Sequence, residues 1–420
     1  MRDRDLDLVL FGATGFVGRL VAAHVAQAAP DGLRVGLAGR SLDRLERVRA
    51  QLPPAAAAWP LVVADSGDEA SLRALAERTG VVASTVGPYL RYGVGLVEAC
   101  AESGTHYADL TGEVLFVREI IERSHERARA TGARIVVSCG FDSVPSDLAV
   151  HLLHGRAAAD AAGALTDTTL RVRRLSGGIS GGTIDSLRAQ LERVRTTPAL
   201  AAVLEDPAAL TVGTGRGGGA RRAQGAPTRL APGQDDPTRP FRDAETGEWA
   251  APFVMAGYNS RLVHRSNALR AGAYGDRFRY REVVATGRGL RGRLRAAAVA
   301  AGTRALTAAM ALPGIRHGLD LVLPSPGEGP SQERRAAGSF EVETSARTER
   351  GARYAAIVAA QGDPGYAATS VMLGEAALAL AVDDARCSAE GGVLTPAVAM
   401  GDVLVERLRA AGLRLEVRAT

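Results

Sequence analysis

Apolar positions recur with two alternating periods over the first third of the chain. Leu8-Val9-Leu10-Phe11 is a short unbroken apolar run, the mark of a strand buried on both faces, and Val17, Leu20, Val21 and Val25 follow at helical spacing. The rhythm then repeats. Leu33 to Ala38, Leu61 to Ala64, Val81 to Thr85 and Ile135 to Cys139 predict further strands, with another edge at His106. Between them the shared face of Leu45, Val48 and Leu52, the pair Leu72 and Leu75, and Val94 to Ser103 predict helices. Six strands alternating with helices predict an α/β fold, a Rossmann-type doubly wound parallel sheet with ligands outside its carboxyl edge, over residues 1–150.

Beyond residue 150 the rhythm changes. Thr169 to Arg174, Phe278 to Ala285, Gly338 to Ala346 and Tyr354 to Ala360 predict strands of a second, antiparallel or mixed sheet, and Leu187, Leu191 and Val194 mark a helix. These define an α+β substrate or dimerisation domain over 151–361. Its Gly- and Pro-rich insertion, about 205–252, has little periodicity and reads as a lid or a disordered segment. The glycine-rich turn from Ser176 to Thr183 suits an anion or a plain loop equally. Residues 362–420 predict a turn, a long helix through Val371, Leu378 and Val382, a final helix opening at Thr395-Pro396 and a short strand from Leu413 to Val417, returning to cover the first domain.

Composition narrows the chemistry. All 51 basic residues are arginine, so no Tyr-x-x-x-Lys, phosphate-loop lysine or Schiff-base lysine exists. The net charge of +5 is spread along the chain and aromatics are 4%, which argues against a nucleic-acid partner. Cys100, Cys139 and Cys387 are widely separated, so neither a disulfide framework nor a metal site is expected, and the reading is cytoplasmic. Arg288 to Arg295 leads into an alanine-rich segment ending at Leu312. Peripheral contact of 288–312 with an anionic membrane is one reading, a packed helix the other.

The first apolar run enters Gly12-Ala13-Thr14-Gly15-Phe16-Val17-Gly18. Gly12 lets the chain turn out of the strand, Gly15 lets backbone N–H groups approach a pyrophosphate, and Gly18 lets the helix pack on the sheet. About 22 residues beyond Gly18, where an NAD site places an acid, stand Arg40 and Ser41. A guanidinium and a hydroxyl there suit a ribose 2′-phosphate, so NADP(H) is preferred to NAD(H). Asp65 and Ser66, after the third strand, lie where an adenine would rest, or Asp65 caps a helix. Val86 and Gly87, at the fourth strand tip, would pass the nicotinamide ribose. Asp109 and Glu113 read as helix caps or as groups orienting a substrate amine.

Taken together, the chain resembles the saccharopine dehydrogenase-like oxidoreductases, and within them the trans-acting enoyl reductases. The resemblance rests on the glycine turn, Tyr107-Ala-Asp109 with Gly112-Glu113, Ser138 to Asp147, Ser180 to Asp185, Gly362 to Thr369 and Leu394 to Ala397. It implies NAD(P)(H) held by Gly12, Thr14, Gly15, Phe16, Val17, Gly18 and Arg40, and a second domain that helps form a homodimer. The leading expectation is an NADPH-dependent reductase of an activated, acyl or polyketide-type C=C on a small-molecule or carrier-bound substrate. Tyr89, Tyr107 and Ser143 are candidate hydroxyl donors to the developing enolate, and Asp142 a group that orients one. Saccharopine-type C–N chemistry and a non-catalytic NADP(H) sensor are the alternatives.

Overall fold

The structure, a computed structural model, describes residues 4–177, 181–214, 230–311 and 329–420. Residues 178–180 of the second glycine-rich turn, 215–229 of the expected insertion, and Leu312 at the end of the basic segment lie outside the described residues.

The first sheet has seven parallel strands in the order β3-β2-β1-β4-β5-β6-β13: β1 (Leu6–Phe11), β2 (Val35–Gly39), β3 (Leu61–Val63), β4 (Thr79–Ser84), β5 (His106–Ala108), β6 (Arg134–Val136) and β13 (Gly392–Leu394). In β1, Leu8 and Leu10 join one buried cluster while Val9 and Phe11 join the cluster on the opposite face. That two-residue alternation between two buried faces is why the strand reads as a continuous apolar run. Each fully buried aliphatic side chain there contributes ~1.5–3 kcal/mol. Strand order reverses between β1 and β4, which opens the crevice where such sheets bind ligands. The seventh strand went unforeseen: Gly392–Leu394 adds itself beside β6, in register Val393 to Ile135.

The second sheet is mixed. Its order is β14-β12-β11-β7-β10-β9-β8, from β7 (Leu165–Ser176), β8 (Phe241–Arg242), β9 (Trp249–Pro252), β10 (Arg279–Gly287), β11 (Ser339–Thr348), β12 (Arg353–Gln361) and β14 (Arg414–Ala419). β7 and β10 pair in parallel, and the other neighbours are antiparallel. β8 and β9 form a hairpin inside the stretch expected to lack structure. Its polar turn is held by the buried Arg171 guanidinium, which reaches Asp243 and Glu245, each at 2.6 Å, so long-range ion pairing supplies what periodicity lacks.

Two helices cover the sheets, one on each. Val144–Ala159, which contains residue 150, packs on β11 and β12. Thr369–Val382 packs on the Phe16–Ala28 helix and on β4, with Met372, Leu373 and Leu378 fully buried. Among the described residues, 364–382 is the one helical stretch long and apolar enough to cross a membrane, and 72% of its span is buried within the protein. The basic segment forms the helix Gly289–Ala311, which leaves Leu290 and Leu294 exposed.

Arg265, on the Ala256–Leu269 helix, is fully buried and donates to the carbonyls of Leu210 at 2.6 Å and Val393 at 2.5 Å. Burial pushes its pKa down to about 9. We expect Arg265→Met, which removes the donor shared by the 210 loop and β13, to lower unfolding free energy by ~2–4 kcal/mol. Urea denaturation measures it.

Candidate functional site

The site starts at the end of β1. Gly12 has φ +89°, and a Cβ there would lie 2.7 Å from Thr85 Oγ1 and 2.8 Å from Val86 Cγ2. A Cβ on Gly18 would lie 2.1 Å from the Gly12 carbonyl oxygen. Both positions therefore require glycine. The turn closes with Gly15 N–H donating to Gly12 O at 2.9 Å. The Phe16–Ala28 helix begins at once, with Gly15 as its N-cap and no side chain capping it, so first-turn N–H donors are left for an anion.

Arg40 follows β2 and is exposed, with no hydrogen-bond or ion-pair partner among the described residues. Ser41 Oγ accepts from Arg44 N at 3.4 Å and caps the Leu42–Gln51 helix. Beside them Thr14, Arg19, Arg44, Arg47, Val48 and Gln51 line a hollow of about 310 Å³. Arg19, Arg44 and Arg47 were not anticipated, although Arg44 and Arg47 stand one helical turn apart. Asp65 is exposed, and its Oδ1 accepts from Gly67 N at 2.9 Å. The following helix is capped by Asp68, not Asp65. Ser66 is half-buried beside it.

On the other side of β1 a cavity of about 440 Å³ opens against Gly15, Phe16, Val17 and Gly18. Tyr89, Asp142, Ser143 and Gly87 also line it, whereas Gly12, Thr14, Arg40, Ser41, Asp65, Ser66, Val86 and Tyr107 do not. The facing wall comes from the second layer, with Leu187 and Leu191 on the Gly181–Thr196 helix, Leu204, Val254, Met255 and Tyr258, while Leu110 to Gly112, Val114 and Ser138 complete the near side. That helix was expected; the apolar wall it builds was not. Tyr258 stands in the first turn of the Ala256–Leu269 helix, which is buried on every face and so shows no amphipathic stripe to find.

Beneath the cavity lies a buried carboxyl. Asp109 Oδ1 accepts from Ser138 N at 2.8 Å and Thr111 N at 3.0 Å, and Oδ2 accepts from the Tyr107 hydroxyl at 3.0 Å. Burial pushes its pKa up to about 7, against the pull of those donors. Tyr107 is thus a fully buried partner of Asp109. Glu113, expected to cap its own helix, instead accepts from Tyr89 N and Leu90 N at 2.9 and 2.7 Å and from Ser186 Oγ at 2.6 Å. It caps the Tyr89–Tyr92 turn and links it to the second layer. Burial also raises Asp142 to about 6, with the Thr183 hydroxyl 3.5 Å away opposing it. His106, at the strand edge, accepts from Arg134 N at 3.0 Å and faces Asp384 at 3.1 Å.

Residues 8–136 match the family described as the saccharopine dehydrogenase NADP binding domain. A trans-acting enoyl reductase of Mycobacterium tuberculosis strain H37Rv is 44% identical over 421 residues, spanning 98% of this chain and 97% of its own length. The chain belongs to the trans-acting enoyl reductase family. A trans-acting enoyl reductase of Mycobacterium ulcerans strain Agy99 is likewise 44% identical over 420 residues, with 98% and 97% covered. Among solved structures, apo saccharopine dehydrogenase (L-Glu forming) from Saccharomyces cerevisiae superposes with a TM-score of 0.52 at 14% identity, over 98% of this chain and 99% of its own. The fold is shared with that enzyme. The first sheet is accordingly an NADP(H)-binding domain of an oxidoreductase, and the uncapped helix and Arg40, unpaired among the described residues, fit that cofactor.

Two outcomes follow. Arg40→Ala is expected to weaken NADPH binding about 10- to 100-fold while leaving NADH unchanged, measured by calorimetry, because one charge-assisted contact is worth ~1.5–3 kcal/mol. The folded protein also keeps a proton on Asp109 up to about pH 7, whereas the unfolded chain releases it near about pH 4. At this group the folded state binds more protons between those values, so its contribution to stability falls as pH rises through that window. Asp109→Asn retains both backbone bonds and should shrink the fall, read as the change in urea midpoint between about pH 4.5 and 7.5. Glu282 and Asp142, raised by burial to about 7 and about 6, act in the same direction, whereas His125 and His264, lowered by burial to about 3 and about 4, act against it.

Proposed function

We propose that the chain is an NADPH-dependent enoyl reductase whose substrate is an α,β-unsaturated acyl thioester, free or presented on a carrier. The observation that carries this reading is the cavity wall: the surface of the pocket beside the glycine turn is predominantly apolar, with Leu110, Val114, Leu187, Leu191, Leu204 and Met255 set among glycines and polar side chains. Arg261 is the one cation among its described lining residues, and its guanidinium is taken by the carbonyls of Leu204, Asp206 and Gly257. A C–N substrate of saccharopine type needs free guanidinium groups for its carboxylates. An acyl chain needs none, and its burial is favoured at ~0.8 kcal/mol per methylene.

The division of labour follows from position. Gly15 to Gly18 and the helix behind them would hold the pyrophosphate, and Arg40 the ribose 2′-phosphate. The reduced nicotinamide supplies hydride when bound. Leu187, Leu191 and Met255 hold the chain and exclude water, which strengthens every dipole directed at the carbonyl as negative charge develops on it. The relatives' names support the same reading of the reaction.

NADPH consumption with a series of enoyl thioesters should rise in kcat/KM with chain length until the wall is filled. Leu191→Asp is expected to raise KM for the long substrates about tenfold or more with kcat little changed, since a desolvated carboxylate then faces the chain. Equal inertness at every length would count against the proposal.

A further inference from the structure

The hydroxyls around the cavity differ in whether their protons are committed. Tyr89 donates to the Ser84 carbonyl at 3.0 Å and accepts from Leu110 N at 3.2 Å. Ser143 donates to Asn259 Oδ1 at 2.9 Å. Tyr107 donates to Asp109 away from the cavity. Tyr366 accepts from Gly181 N at 3.3 Å and, like Tyr258, has no acceptor among the described residues that fixes its proton, but Tyr258 is paired with a second hydroxyl. Among the described residues its hydroxyl meets Ser138 Oγ, at 2.5 Å, where either atom can be the donor, and both residues line the cavity. Ser138 also has φ 64°, rare for a residue with a side chain, and is held there by its N–H bond to Asp109. Backbone strain that is over-determined by its surroundings concentrates at functional sites. The pair joins the two layers across the cavity, Ser138 from the tip of β6 and Tyr258 from the helix facing it.

We infer that Tyr258 is the proton donor to the substrate α-carbon and that Ser138 reloads it, a proposal that rests on the enoyl reductase reading. As the β-carbon gains hydride, the displaced π pair spreads over the α-carbon and carbonyl oxygen. The Tyr258 O–H bond then breaks as the α C–H bond forms. The resulting phenolate takes a proton from Ser138 Oγ, which regains one from water, so one hydride and one proton saturate the double bond. Burial raises the Tyr258 phenol well above its usual value, and the buried Asp109, Glu113 and Cys139 around it act in the same direction. The group therefore enters each cycle protonated, as a donor must.

The test is reduction of an enoyl thioester in D₂O by wild type, Tyr258→Phe and Ser138→Ala. It reads the rate, NADPH affinity by calorimetry and the configuration of deuterium at the α-carbon by NMR. For Tyr258→Phe we expect NADPH affinity within about twofold of wild type, a rate lower by about 100-fold or more, and mixed configuration where wild type gives one. Ser138→Ala, which leaves the phenol in place, should slow turnover about tenfold and keep a single configuration. Tyr258→Phe turning over at the wild-type rate with one configuration would overturn the assignment while leaving enoyl reduction intact. A wild type that binds NADPH but consumes it with no chain length would overturn the reduction itself, and the donor with it.

Discussion

The site depends on a carboxyl kept away from water. Asp109 gathers the N–H of Ser138, the N–H of Thr111 and the hydroxyl of Tyr107 onto two oxygens. Its desolvation opposes ionisation and its donors favour it, and the two effects leave the group near neutrality's edge, at about 7. What the fold gains is geometry. The loops leaving β5 and β6 are fastened to one point, Cys139 N adds a bond to the Asp109 carbonyl at 2.7 Å, and the chain is bent at Ser138 so that its hydroxyl faces the cavity. Without that anchor the floor between the two layers would have no fixed shape.

The two layers divide the work of the pocket. The parallel sheet presents a glycine turn and an arginine-bearing edge, and those serve a dinucleotide whatever is reduced. The second layer presents aliphatic side chains from the Gly181–Thr196 helix and from Val254 to Tyr258. A shared fold with yeast saccharopine dehydrogenase therefore says little about substrate; the side chains on the facing wall say more.

How much of this was legible in sequence varies with how local each constraint is. The glycine turn was readable because steric demands at Gly12 and Gly18 leave no other residue. The Val94–Ser103 helix was readable to both ends, since Gly104, at φ 70°, stops it. Strand β13 was not readable: three residues carry no period, and their partner β6 lies more than 250 positions earlier. Tyr89 and Tyr107 looked like donors because hydroxyl chemistry is visible in a residue type. Where each proton goes is decided by Ser84 and by Asp109, after folding. Tyr258 was hidden for the converse reason, on a helix with Asn259, Arg261, His264 and Arg265 all buried.

The late arrival of β13 bears on how the chain is made. The dinucleotide sheet lacks an edge strand until Gly392–Leu394 pairs with β6, and the flank of the Phe16–Ala28 helix stays uncovered until Thr369–Val382 packs on it. During synthesis from the amino terminus, the nucleotide-binding half therefore emerges first with an apolar flank and an open ladder. Its completion waits for residues 369–394 to leave the ribosome, an interval in which a chaperone, or early-bound dinucleotide, would have most to protect.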